Sequence, residues 1–137
     1  MRPHVFSAIL LCAVALADEP KVPALLTRGD AAEKQGRTQA ALEDFRAAEA
    51  LDPKNVGILL RIAQQYADLV DVTKPPSAAQ QCAQQSLDYA RRAVVLDPKS
   101  AKAHLAVAVG YGKLTDFVSN KTKLEYSKVI KEETEKS

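Results

Sequence analysis

The sequence predicts an all-α protein in which helix pairs stack one behind another as a solenoid, with no sheet. The main observation is an internal repeat: AALEDFRAAEALDPKN at 40–55 returns as SLDYARRAVVLDPKS at 86–100. Apolar residues recur every three or four positions along most of the chain, which is typical of amphipathic helices. No segment keeps the two-residue alternation of a half-buried strand. Repeated helices of this kind bury their apolar faces against neighbouring repeats rather than inside one closed core.

The first 17 residues, MRPHVFSAILLCAVALA, differ from the rest of the chain. They begin with the basic Arg2, continue as an apolar run from Val5 to Leu16, and end in small residues. This layout is typical of a secretory signal peptide, and we expect cleavage before Asp18. The apolar run of about 12 residues is shorter than the roughly 20 that a membrane-spanning helix needs, and an uncleaved membrane anchor is the alternative. Bulky Leu11 argues against lipid modification of Cys12.

The charge balance and the cysteines narrow the class of protein. The chain has 19 Lys and Arg against 17 Asp and Glu; loss of Arg2 with the signal leaves 18 against 17. Such a near-neutral, mixed surface gives no reason to expect nucleic acid or an anionic membrane as partner. Cys82 is then the one remaining cysteine, so no intrachain disulfide can form. An exported protein without disulfides suits the bacterial periplasm better than a small secreted disulfide scaffold.

Six helices are predicted, at 22–35, 39–51, 56–69, 78–96, 101–114 and 120–135. Gly36 ends the first helix, because glycine readily takes a positive φ. Thr38 and Ser77 are predicted to cap the second and fourth helices, and Asn55 and Ser100 to cap the third and fifth. The prolines near residue 75 predict a loop over 70–77.

The first helix pair resembles the tetratricopeptide repeat (TPR), a 34-residue helix–turn–helix unit. Counted from Val22, the small, aromatic and proline positions of that signature hold Gly29, Ala41, Phe45, Ala48 and Pro53. The resemblance implies a right-handed stack of about three helix pairs, with units at about 22–55, 56–100 and 101–137. The second unit keeps Ala63, Tyr66, Ala93 and Pro98, and the third keeps Ala108 and Tyr111.

The second unit is longer than the repeat. Its Pro98 lies 45 residues after Pro53 rather than 34. We expect the 11 extra residues between its two helices, around the loop at 70–77 and the long start of the fourth helix.

The second half of the chain, about 78–137, is also similar to a narrower family, the regulators of microtubule dynamics and their bacterial relatives. The similarity rests on AHLAVAVGYGKL at 103–114 and YSKVIKEETEKS at 126–137. The family name implies microtubule association in animals. We do not expect an exported, near-neutral bacterial protein to share that role.

No catalytic residue, metal site or cofactor is predicted. The chain has no glycine-rich phosphate loop, nucleophile elbow or zinc-ligand spacing. His104 is expected to pack as a structural residue, since a metal needs further ligands. Cys82 is expected to be a small, partly buried apolar residue, because no basic group or histidine lies near it in the helix. Glu132, Glu133 and Glu135 are expected to form a solvated helix face.

The resemblance to TPR arrays implies a concave groove lined by the first helix of each pair, where a peptide or a partner helix lies. The charged and polar candidates are Asp30, Glu33, Arg61, Gln64, Asp68, Lys102 and Lys113. The apolar candidates are Leu26, Leu60, Leu105 and Val109. The Lys-Asn-Asn clamp of chaperone-binding relatives is absent, because Leu26 and Asp30 stand where its Lys and first Asn would be.

Two functions follow from these features. The favoured one is a non-catalytic exported module that binds a protein or peptide in its groove. The alternative is a structural unit that self-assembles through its uncapped last helix, or a fragment of a longer array. That helix carries Leu124, Tyr126, Val129 and Ile130 with no further helix predicted to cover them.

Overall fold

The structure is a computed structural model that describes residues 20–137, and within that range it is all-α, with no strand. The signal peptide predicted at 1–17 lies outside the described residues. In the described part of the chain, no helix combines the length and apolar character needed to cross a membrane. From residue 20 onward the six α-helices are α1 (Val22–Lys34), α2 (Thr38–Leu51), α3 (Val56–Val72), α4 (Pro76–Leu96), α5 (Ala101–Leu114) and α6 (Asn120–Glu135). A 3₁₀ turn, Thr115–Phe117, joins α5 to α6.

The structure confirms the predicted roles of Gly36, Asn55 and Ser100 at helix ends. Gly36 has φ of 68°, which lets the backbone reverse between α1 and α2. The side chain of Asn55 accepts a hydrogen bond from the Ile58 N–H (3.2 Å), and Ser100 Oγ accepts one from the Ala103 N–H (3.2 Å). Both copies of the Leu-Asp-Pro-Lys turn therefore end in the same kind of cap.

The region between α3 and α4 differs from the prediction. α3 continues to Val72 and α4 begins at Pro76, so the connection is residues 73–75 rather than a loop over 70–77. Ser77 lies inside the first turn of α4 and does not cap it; Pro75 occupies the cap position. Thr38 likewise is the first residue of α2 rather than its cap. Proline is tolerated in the first turn of a helix because no N–H partner is needed there.

The 11 extra residues of the second unit therefore lengthen its helices. α3 and α4 have 17 and 21 residues, against 13 and 14 in α1 and α2. Residues 35–37 and 73–75 make equally short connections within the two pairs.

Packing follows the solenoid pattern. Each helix packs on the next one in the chain, and α3 packs on α5 as well as on α4. Phe45 is fully buried in the seam between α1 and α2, where a Cβ on Gly29 would lie 2.7 Å from its Cδ1 atom. The small residue thus lets the two helices approach closely, as the repeat signature predicts.

One apolar core runs through α1 to α5. Its largest fully buried apolar side chains are Leu25, Phe45, Ile58, Leu59, Ile62 and Leu87. α6 has no buried residue. The all-α solenoid is therefore confirmed, and its last helix is attached differently from the others.

Candidate binding groove

A cleft of about 480 Å³ lies on the side of the solenoid formed by α1, α3 and the start of α5. It is lined by Asp30, Glu33, Lys34, Gly57, Leu60, Arg61, Gln64 and Lys102. Five of the seven charged and polar groove candidates therefore meet in one place. We call this the polar cleft.

Arg61 is held firmly in the polar cleft. Its guanidinium donates to both carboxylate oxygens of Asp30, at 2.8 and 3.2 Å, and its Cζ lies 5.9 Å from the centre of the Phe45 ring. The hydrogen bond from Arg61 lowers the pKa of Asp30 below its ordinary 3.8, and the same bond raises the pKa of Arg61. The pair therefore stays charged at all physiological pH values and fixes α1 against α3.

Gln65 is a polar residue that the sequence analysis did not single out. Its side chain is fully buried on α3, and its Nε2 donates to Glu33 Oε1 at 2.7 Å. Its spacing from the buried Ile62 and the half-buried Leu69 places it on the apolar stripe of α3. This spacing could have predicted the burial of Gln65 from the sequence. Glutamine, however, is usually exposed to solvent, so the residue type favoured the opposite prediction.

An apolar surface continues from the polar cleft along α5. A second cleft of about 210 Å³ is lined by Leu60, Gln64, Lys102, Leu105, Ala106 and Val109. Leu105 is 49% exposed and Val109 is 36% exposed. We call Leu60, Leu105 and Val109 the apolar shelf.

Lys102 lies where the polar cleft meets the apolar shelf, since it lines both clefts. Within residues 20–137 it has no acidic partner within ion-pair distance. Arg61, by contrast, is already neutralised by Asp30. Among the groove candidates, Lys102 is therefore the cation best placed to meet a partner's acidic group.

The remaining candidates do not line the polar cleft. Asp68 accepts a hydrogen bond from Gln64 Nε2 (2.8 Å), one turn further along α3. Lys113 donates to both carboxylate oxygens of Asp71, at 2.6 and 2.7 Å, and so ties α5 to α3. Leu26 is half-buried and packs against the core.

Outside the groove, His104 and Glu133 form a contact that the sequence analysis missed. His104 is buried, and its Nδ1 atom lies 2.5 Å from Glu133 Oε2 on α6. Glu133 is therefore not part of a solvated face, although Glu132 and Glu135 are exposed. It follows Tyr126 and Ile130 at helical spacing, on the side of α6 that faces α5.

One further sequence prediction concerns a single residue. Cys82 is a free, partly buried cysteine on α4, as expected. In the stretch from residue 20 to the C-terminus, the structure contains no cluster of three or more His, Cys, Asp and Glu side chains that could hold a metal ion.

Comparison with solved structures places the fold among TPR proteins. A thermophilic TPR protein of Thermus thermophilus matches with a TM-score of 0.66 and 20% identity, over 80% of this chain and 55% of that one. The TPR domain of Arabidopsis OM64 matches with a TM-score of 0.56 and 20% identity, over 81% of this chain and 94% of that one. This chain thus spans about half the length of the Thermus protein. At these identities the likeness concerns the fold alone.

Sequence comparison is more specific. No curated protein sequence matches the chain significantly. The family model described as regulator of microtubule dynamics protein 1-3 matches residues 25–137. The chain belongs to that family, and the match extends well beyond the second half that the sequence motifs indicated.

Proposed function

We propose that this member of the regulator of microtubule dynamics family is a non-catalytic module that binds a segment of a partner protein in its concave groove. The TPR-like fold is that of a protein-interaction module. The observation that carries the proposal is the continuity of the apolar shelf with the polar cleft, through Lys102.

The groove suits a peptide with an apolar side chain next to polar or acidic groups. The apolar shelf exposes Leu105 and Val109 beside Leu60, and each offers surface that a partner's side chain could bury. Full burial of one Leu-sized side chain is worth about 1.5–3 kcal/mol. The Asp30–Arg61 pair is pre-formed, so binding does not have to order it, and Lys102 adds an unneutralised positive charge.

The proposal includes export of the protein. Its support is the basic start, apolar run and small-residue end of residues 1–17, which together resemble a signal peptide. N-terminal sequencing of the protein from its native cells should start at Asp18. Retention of Arg2 in the membrane fraction would indicate the uncleaved anchor instead.

The groove is tested by selecting short random peptides, displayed on phage, against the immobilised protein. The selected peptides are then titrated by fluorescence anisotropy against the wild-type chain and two variants. Leu105→Glu places a charge on the apolar shelf and should weaken binding on the order of 10- to 100-fold. Leu124→Glu is the matched control, because Leu124 is exposed on α6 and lies outside both clefts.

Lys102→Glu should weaken the binding of acidic peptides more than that of neutral peptides. The substitution reverses the charge of a groove lysine that has no acidic partner among the described residues. Lys99→Glu, on the turn before α5, is its control. Selected peptides that bind both Leu105→Glu and Leu124→Glu as tightly as the wild type would contradict the groove proposal.

A second candidate function is self-association through α6. It is favoured by the absence of any buried residue on α6 and by the 64% exposure of Leu124. Light scattering across a concentration series should then show a dimer that Leu124→Glu dissociates. A monomer at every concentration would exclude this function in solution.

A further inference from the structure

His104 on α5 is held at both of its ring nitrogens by oxygen atoms. Its Nδ1 lies 2.5 Å from Glu133 Oε2, and its Nε2 lies 2.8 Å from the carbonyl oxygen of Pro98. A carbonyl oxygen and an ionised carboxylate both accept hydrogen bonds and cannot donate them. Both contacts can therefore be hydrogen bonds at the same time only when both ring nitrogens carry a proton, in the imidazolium form.

The groups around the ring come from two elements. α6 contributes Glu133, and the residue that follows the helix contributes Lys136, whose Nζ donates to the other oxygen of Glu133 at 3.0 Å. The turn after α4 contributes the Pro98 carbonyl. Within the described residues, neither α3 nor the helical part of α4 gives the ring a hydrogen bond or an ion pair. The charges thus alternate in a row: imidazolium, carboxylate, ammonium.

This row matters because α6 has few other attachments. α6 packs mainly on α5 and on the 3₁₀ turn before it, and none of its residues is buried. Tyr126 of α6 packs edge-on against Tyr111 of α5, with ring centres 4.9 Å apart. Glu133 lies two turns further along α6, near its C-terminal end. The Glu133 side chain is only 15% exposed, so its contact with His104 is a partly buried polar contact that attaches this end of α6 to α5.

We propose that His104 and Glu133 form a proton-operated latch, which docks the end of α6 onto α5 most tightly when the imidazole is charged and loosens when the imidazole is neutral. On losing one proton the ring keeps a single N–H. One of its two contacts then becomes a repulsion between a nitrogen lone pair and an oxygen atom. The geometry thus links the docking of α6 to a proton.

The pKa shifts of the two residues have the sign that such a latch requires. Hydrogen bonds to Glu133 and to the Pro98 carbonyl raise the pKa of His104 above its ordinary 6.5. Burial would raise the pKa of Glu133, but the hydrogen bonds from His104 and Lys136 outweigh it and lower that pKa below its ordinary 4.5.

The direction of the pH dependence follows by linkage. The contribution of His104 is fully present below about pH 6.5, its unfolded pKa, and is lost as the pH rises through its higher folded pKa. The contribution of Glu133 is present above about pH 4.5 and is lost as the pH falls through its lower folded pKa. The latch is therefore tightest between these two limits and loosens on the alkaline side when His104 loses its proton.

The latch is tested by amide hydrogen exchange of the chain at about pH 6 and about pH 9, with rates corrected for intrinsic exchange. At the higher pH, the protection factors of the α6 amides should fall roughly tenfold for each unit by which the pKa of His104 is raised. The amides of α2 and α3 should keep theirs. Equal corrected protection of α6 at both pH values would overturn the proposal.

Three variants assign the effect to the two residues. His104→Gln cannot be charged, and Glu133→Gln removes the carboxylate; both should abolish the pH response of α6. Glu132→Gln, the exposed neighbour on the same helix, should keep it. A pH response that survives in His104→Gln would show that another group operates the latch and would overturn the assignment.

A measurement on the wild-type protein tests the proposal even if one of the variants does not fold. The ¹⁵N chemical shifts of the His104 ring report its protonation state directly. Followed against pH, these shifts should give a titration midpoint above the ordinary pKa of 6.5. A midpoint at or below 6.5 would contradict the proposal.

Discussion

Two of the seams that helix α5 makes, one with α4 and one with α6, differ in construction. At the α4 seam, Gly110 lies so close to Leu87 that a Cβ on it would be 2.8 Å from the Leu87 Cα atom, and Leu87 is 2% exposed. At the α6 seam, no residue of α6 is buried. The contact depends on the edge-on packing of Tyr126 against Tyr111 and on the contact of the His104 ring with Glu133. Close apolar packing makes the first seam part of the global fold. The polar contacts of the second seam allow it to open separately.

The largest expected effect comes from the apolar seam. Leu87→Ala removes a buried side chain and leaves a cavity between α4 and α5, so the free energy of unfolding should fall by about 2–5 kcal/mol. Urea denaturation followed by circular dichroism measures this change. Leu124→Ala on α6 is the matched control and should stay within about 0.5 kcal/mol of the wild type, because Leu124 is 64% exposed. Equal losses in the two variants would mean that the seams do not differ.

A smaller effect is expected from the two glycines of α5. Gly110→Ala forces a methyl group against the backbone of Leu87 and should cost about 1–3 kcal/mol. Gly112→Ala has nothing within 4 Å of the added Cβ and should stabilise the protein by about 1 kcal/mol through helix propensity. Thermal unfolding of both variants gives the comparison. A stabilising Gly110→Ala would show that α4 and α5 are packed less closely than the structure indicates.

The smallest effect should come from the α6 seam itself. Tyr126→Leu keeps an apolar side chain but loses the edge-on contact with Tyr111, which is worth about 0.5–1.5 kcal/mol. Hydrogen exchange should show that α6 loses protection while the amides of α4 keep theirs. If α4 lost protection in parallel, α6 would belong to the cooperative core.

The sequence predicted the existence and order of all six helices, and the structure changed their ends by a few residues. The clearest difference lies around Pro75 and Pro76, which were interpreted as part of a longer loop. A proline stops a preceding helix but can begin the next one, so the same residues are compatible with either arrangement. Here the extra length was added to α3 and α4 instead, where helix formers such as Ala79 and Gln80 continue the pattern.

The groove candidates were located by repeat position, and five of the seven charged and polar ones line the polar cleft. Their pairings were not predictable. Asp30 and Arg61 are 31 residues apart, and His104 and Glu133 are 29 apart. Contacts at such separations depend on how one helix is rotated against the next, and the local pattern of apolar residues leaves that rotation open by a good part of a turn.

The sequence by itself determined the architecture: apolar periodicity sets the helices, and small residues at the signature positions, with Phe45 between them, set the packing of the first pair. These are local properties, because helix formation and the close approach at Gly29 depend on neighbouring residues and on residue size. The tertiary structure alone decided which charges are neutralised and which remain available. The stack brings Asp30 to Arg61 and Glu133 to His104, and leaves Lys102 beside the apolar shelf. A charge acquires its role from the groups within a few ångströms of it, and those groups come from other helices.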